Sequence, residues 1–284
     1  MTRSRWRDVR KIDAHVHVVL HDRDKTELVF NPPDAMLETM DEQNIERAAV
    51  VPINYPDYFP LEPEERADWL RANNERQADI ARGSDGRLVA FADCAIDGRY
   101  GHPADGTEAF EHAIGDLGLA GLKIHAYNLR VSASDPRLLP WIEDAARLDV
   151  PIVFHSNPCG HAPDFHGSAP SEIYRAVYGR NVTYTIAHLG GVAFYETTVG
   201  GGYVDISWTL LWLADLHGPA FCERLIRRIG IDRVLFATDY PACSYERYYD
   251  ILDAMTFTED EIERIAYRNA ERMLSGRAPA GQDE

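Results

Sequence analysis

Short apolar runs alternate with amphipathic stretches from one end of this chain to the other. The runs at 11–18, 47–53, 88–96, 121–126, 151–156, 183–189, 203–208 and 234–239 are short and rich in aliphatic and aromatic residues, as buried strands are. Between them, apolar residues recur at helical spacing over 62–82, 107–117, 137–148 and 219–229, and more weakly over 33–43 and 168–178. A last amphipathic stretch, 258–274, carries Ile262, Ile265, Ala266 and Met273 on one face. Thr258 serves there as N-cap, with Asp260 and Glu261 in an acidic first turn. Residues 190–202 show no helical period, so the sixth helix is expected to be short or missing.

Eight strands with intervening helices predict parallel βαβ units, closed as a barrel or open as a doubly wound sheet. An open sheet binds its ligand at one switch point, usually beside a Gly-rich turn that follows a strand. Gly200-Gly201-Gly202 instead precedes a strand, and polar residues end strands all along the chain. The expected fold is therefore a (β/α)₈ TIM barrel with an additional C-terminal helix, spanning residues 1–276 as one domain. Residues 277–284 read as a disordered tail.

The 284 residues suit one such barrel, typically about 250 residues long. The four cysteines form no CxxC pair, which argues against a thiolate metal site and fits a reducing, cytoplasmic setting. A net charge of −17 argues against nucleic acid as a partner, since phosphate binding needs a basic patch. The arginines near the N-terminus precede no apolar signal region, and no run is long enough to span a membrane. A small-molecule substrate is the expected partner, and a homodimer stays open.

His15-Val16-His17 is the sharpest local feature, because residues i and i+2 of a strand share a face. Two adjacent imidazoles inside a buried strand leave nitrogen atoms that need partners. Three more apolar runs end in metal-capable or acid–base side chains, at His155, His188 and Asp239. Each taken alone reads first as a satisfied core residue or a helix cap. In a barrel, strands 1, 5, 6 and 8 deliver all five side chains to one mouth, which packing does not explain.

These residues give the chain a likeness to a known group. It resembles the amidohydrolase superfamily, in the amidohydrolase-related branch that holds aminocarboxymuconate-semialdehyde decarboxylase and metal-dependent lactonases. The likeness rests on Ile12-Asp13-Ala14-His15-Val16-His17, Gly121-Leu122-Lys123-Ile124-His125, Val153-Phe154-His155, Ala187-His188-Leu189-Gly190-Gly191, Phe236 to Pro241 and Asn269-Ala270-Glu271-Arg272. It implies that His15, His17, His155 and Asp239 bind one divalent ion, zinc in the first instance with manganese as the alternative. It implies that His188 is the neighbouring acid–base group. Imidazole and carboxylate donors suit zinc, which lowers the pKa of bound water to about 7. Asp239 would then take the proton of that water.

Lys123 lies where other branches of the superfamily carry a carboxylated lysine bridging two metals. The other reading is an ammonium paired with an acid, and one metal is expected. His125 and Arg130 are candidate substrate contacts, as is the aromatic stretch 54–59. His161 and His166 read as surface residues of the loop after strand 5, and Trp208 and Trp212 as either pocket or core. The leading expectation is a hydrolase that attacks an amide, cyclic amide or lactone carbonyl. The alternative is a non-oxidative decarboxylase of an aromatic or unsaturated carboxylic acid, although some decarboxylases of the branch replace the first histidine of the pair with glutamate. A non-enzymatic ligand-binding barrel would be expected to lack a ligand, and none is missing.

Overall fold

The computed structural model describes residues 4–18, 31–53, 63–96, 106–156, 166–281. The aromatic stretch 54–59 and His161 lie outside them. Every expected strand is present: β1 Lys11–Val16, β2 Ile45–Val50, β3 Leu88–Ala90, β4 Leu122–Ile124, β5 Ile152–Phe154, β6 Tyr184–Ile186, β7 Tyr203–Asp205 and β8 Val234–Leu235. All neighbours pair in parallel, in the orders β1-β2-β3 and β4 to β8.

Two seams close these runs into one barrel. Between β3 and β4, Ala92 N–H donates to Gly121 O and Lys123 N–H to Ala92 O, both at 2.8 Å. Between β8 and β1, Ala14 N–H donates to Phe236 O at 2.9 Å and His17 N–H to Tyr240 O at 2.8 Å. The fold is a (β/α)₈ barrel, and these seams pair each of the eight strands on both sides.

The helices Pro33–Glu42, Pro63–Arg82, Gly106–Gly115, Leu139–Arg147, Pro170–Val177 and Pro219–Ile229 follow the amphipathic stretches. Helices Thr209–His217, Tyr245–Asp253 and the short Arg5–Asp8 carry no expectation from the sequence. The first is apolar nearly all round, so it has no helical period to read. After β6 there are only 3₁₀ turns over His188–Thr198, broken by non-helical backbone at Leu189, Gly190 and Gly191.

The C-terminal stretch starts at Thr258 with a full capping box to Glu261. It continues through a π-helical turn, Arg264–Arg268, into Asn269–Leu274. Ala270 and Met273 from this stretch join Ile12, Ala14, Ala49, Val51, Phe91, Val153, Tyr203, Leu235 and Ala237 in the inner apolar cluster of the barrel. Asn269 donates to Ile231 O and Val234 O at 2.7 and 2.8 Å, anchoring that plug to β8.

Within the stretch read as a tail, the described residues 277–281 touch the barrel: Tyr203 Oη donates to Arg277 O at 2.9 Å and Pro279 is buried. The hydroxyl of Tyr203 emerges from the barrel floor and needs an acceptor, which Arg277 supplies.

Gly121 sits at the β3–β4 seam, where a Cβ would meet Pro151 O at 2.4 Å and Phe91 Cε1 at 2.6 Å. Gly121→Ala is expected to destabilise the fold by about 2 kcal/mol or more. Urea denaturation checks this, and an unchanged midpoint would contradict so close a packing.

Candidate metal centre

The two-residue period of the strands stacks polar side chains on the inner apolar cluster. Val153 is followed by His155 on the same face, Tyr203 by Asp205 and Ser207, and Leu235 and Ala237 by Asp239. Lys123 and His125 stand likewise on β4 and its end. In β1 the pairing register shifts between Asp13 and Val16. Ile12 and Ala14 therefore pack in the barrel interior, while His15 and His17 still reach the mouth. Asp13 holds this irregular stretch, accepting from His15 N–H at 3.1 Å, Thr238 Oγ1 at 2.5 Å and Tyr245 Oη at 2.8 Å.

The positions of the protons follow from the partners. Val51 O can only accept, so His17 Nδ1, 2.8 Å away, carries a hydrogen. The Asp205 carboxylate accepts from His15 Nδ1 at 3.0 Å, from the backbone amides of His188 and Ser207, and from Ser207 Oγ. With its own proton spent on Asp205, Ser207 Oγ accepts from His188 Nδ1 at 2.8 Å. His188 Nε2 is then an acceptor, and His155 Nδ1 donates to it at 3.1 Å.

In neutral rings, this ordering leaves the Nε2 atoms of His15, His17 and His155 as acceptors. His15 Nε2 faces Lys123 Nζ at 3.4 Å, and His155 Nε2 is buried with no hydrogen bond among the described residues. His17 Nε2 lies 2.9 Å from Asp239 Oδ1, and His15 Nε2 lies 3.6 Å from the same oxygen. Two acceptors at 2.9 Å repel unless a proton or a cation lies between them. Among the described residues, two groups bring their potential ligand atoms within 4.8 Å of one another: His15, His17 and Asp239, and His15, His188 and Asp205. The oxygens of Asp205 already receive four hydrogen bonds, so the first group is the one fitted to a divalent ion. His155 belongs to neither group and presents its bare nitrogen from the next ring.

Burial drives the His15 pKa down to about 3 and lowers those of His125, His155 and His188, which keeps these rings neutral. Burial works against the ionised form of Asp205, but His15, His188 and Ser207 hold its pKa at about 2. Burial likewise works against the ionised form of Asp239, but His17 at 2.9 Å and the other nearby histidines hold it well below the carboxylate range.

Lys123 is fully buried with Nζ 3.4 Å from His15 Nε2, and burial lowers its pKa to about 8. The ring of His125 stacks on that of His155 at 3.7 Å between centroids. Arg130 is exposed on the turn after β4, and His166 is exposed ahead of helix Pro170–Val177. Trp208 and Trp212 are 44% and 43% exposed, so neither is core.

Asp205 is the organising residue that sequence reading passes over. Its signal was present in the alternation of Tyr203, Asp205 and Ser207, hidden because the strand was expected to run to Trp208 rather than to stop at the aspartate.

A parallel barrel with histidines and carboxylates gathered at the C-terminal ends of its strands defines a class of metal-dependent enzymes. The family model described as Amidohydrolase matches residues 12–276, and the chain belongs to that family, within the amidohydrolase superfamily. A curated relative, Decarboxylase orsB from Emericella nidulans, is 26% identical over 85% of each chain. The dihydroxybenzoic acid decarboxylase of Polaromonas sp. JS666, solved with bound manganese and the inhibitor 2-nitroresorcinol, has a similar fold. Its TM-score is 0.69 at 17% identity, covering 93% of this chain and 96% of that one. A probable 2-pyrone-4,6-dicarboxylic acid hydrolase from Acinetobacter baumannii, at 12% identity, gives a TM-score of 0.67 over 94% and 99% of the two chains.

Asp205→Asn puts an N–H where hydrogen-bond donors already converge and frees the His15 ring to change tautomer. Affinity for zinc or manganese is expected to fall roughly 10- to 100-fold while the fold persists, read by competition with a chelator. Unchanged affinity would remove Asp205 from its organising role.

Proposed function

We propose that this chain is a metal-dependent, non-oxidative decarboxylase of a hydroxylated aromatic carboxylic acid. One divalent ion, zinc or manganese, is held by His15, His17, His155 and Asp239. The observation that carries this reading is the likeness to a curated decarboxylase over 85% of each chain, on a chain whose mouth gathers imidazole nitrogens and a carboxylate. The fold likeness to a manganese-containing dihydroxybenzoic acid decarboxylase supports it. Both favour the decarboxylase over the hydrolase that the sequence put first.

The donor set of three imidazoles and one carboxylate fits such an ion. When bound, it supplies Lewis-acid polarisation of substrate oxygens. Asp239 takes a proton from the substrate phenol or from solvent and yields it to the ring carbon that bears the carboxylate. The bond between that carbon and the carboxylate carbon then breaks. Its electron pair restores the aromatic ring, and carbon dioxide leaves. His188 is the neighbouring acid–base group, oriented by Ser207 and joined to His155. Lys123, buried beneath His15, adds positive charge at the floor of the site.

The second reading, hydrolysis of a lactone or cyclic amide, uses the same residues with Asp239 taking the proton of an attacking water. Retention of His15 beside His17 favours it, as does the fold likeness to a probable pyrone-dicarboxylate hydrolase.

The two readings separate in one assay. Protein loaded with zinc or manganese is incubated with hydroxybenzoates, lactones and cyclic amides, and carbon dioxide is measured against acid release. Carbon dioxide is expected from at least one hydroxybenzoate, with a loss of about 100-fold or more in Asp239→Asn. Acid release from a lactone without carbon dioxide would establish the hydrolase instead.

A further inference from the structure

The end of β7 departs from the strand period in a way that the metal centre does not require. Tyr203 packs inside the barrel, and Asp205 and Ser207 join the polar layer above it. Val204 and Ile206 pack in the outer core. Continued alternation would send Trp208 to that outer core as well. Instead the backbone at Trp208 takes φ 48 and ψ −64, and Thr209 N–H donates to Ser207 O at 2.5 Å. This is a γ-turn of the rarer, strained hand, in a backbone region that bulky residues seldom enter.

The turn gives two consecutive residues to the same mouth. Ser207 Oγ reaches His188 Nδ1 at 2.8 Å, and the Trp208 ring stands perpendicular to the His188 ring with centroids 6.3 Å apart. The indole is not packed away, since 44% of the residue is exposed. Its backbone is pinned from behind: Trp208 N–H donates to Tyr248 Oη at 2.6 Å, and Tyr248 Oη donates to Thr238 O at 3.0 Å. Tyr248 is fully buried, and Thr238 directly precedes Asp239. One phenol therefore ties the strained turn to the strand end that carries the reactive carboxylate. A glycine or asparagine would adopt this backbone with less strain. Strain held in place at a reactive mouth, with a large aromatic face left open to it, points to a role in binding.

We propose that Trp208 forms one wall of the substrate site and takes the flat face of an aromatic ring, with Tyr248 as its positioning residue. The inference rests on the mouth being the reactive centre and deepens the aromatic assignment of the substrate. Aromatic faces attract beyond their area of contact, so a planar ring gains there what an open-chain acid does not.

The test is isothermal titration of the metal-loaded protein with 2-nitroresorcinol, a ring with no carboxylate to lose, so binding is read without turnover. Trp208→Asn removes the aromatic face while suiting the left-handed turn, and it is expected to bind about tenfold more weakly. Trp208→Phe should restore affinity to within about threefold of the native protein, with equal metal content in all three. Tyr248→Phe should weaken binding in the native background and add little in the Trp208→Asn background, because the two residues act as a unit. Native affinity in Trp208→Asn at unchanged metal content overturns the proposal. So does failure of the native protein to bind the ring. Binding through Trp208 without carbon dioxide release from any hydroxybenzoate keeps this inference and removes the decarboxylase reading.

Discussion

The Asp205 carboxylate is buried at the end of β7 and receives hydrogen bonds from the His15 ring, two backbone amides and the Ser207 hydroxyl. A carboxylate held at a pKa of about 2 can only accept, so each partner must turn a proton toward it. From that one constraint the ordering passes through Ser207 to His188 and on to His155, and through His15 directly to the mouth. Carboxylates behind ligand histidines commonly set the tautomer in this way. Here a single residue sets three rings, and His17 is set separately by a backbone carbonyl.

The barrel makes this arrangement affordable. A layer of apolar side chains, plugged from below by Ala270 and Met273, fills the interior and lets each strand change to polar residues only in its last turn of the period. Several departures from regularity fall where they aim a residue of the mouth: the register shift in β1 at His15, the left-handed backbone of His188 and Asp239, and the turn at Trp208.

That division also explains what could be read in advance. All eight strands were legible, because buried parallel strands are short apolar runs separated by long amphipathic ones. His15, His17, His155, His188 and Asp239 were legible as polar residues at the ends of such runs, and the structure gathers them at one mouth. Asp205 was not, because a strand boundary set three residues too late buried it in mid-run. Helix Thr209–His217 was missed for lack of a polar face, and the packing of Arg277 and Pro279 because it depends on a tyrosine hydroxyl far away in the chain. The choice between decarboxylation and hydrolysis was not legible either, since both use the same ligands and the same proton carrier.

In the proposed centre, a proton order set by Asp205 and Val51 prepares His15, His17, His155 and Asp239 for one ion. Anomalous diffraction from crystals of the manganese-loaded protein tests it most directly. One peak is expected, within bonding distance of the three Nε2 atoms and the Asp239 carboxylate, with Lys123 unmodified beside it. Two peaks bridged by a carboxylated Lys123, or a single peak bound through Asp205, would contradict it.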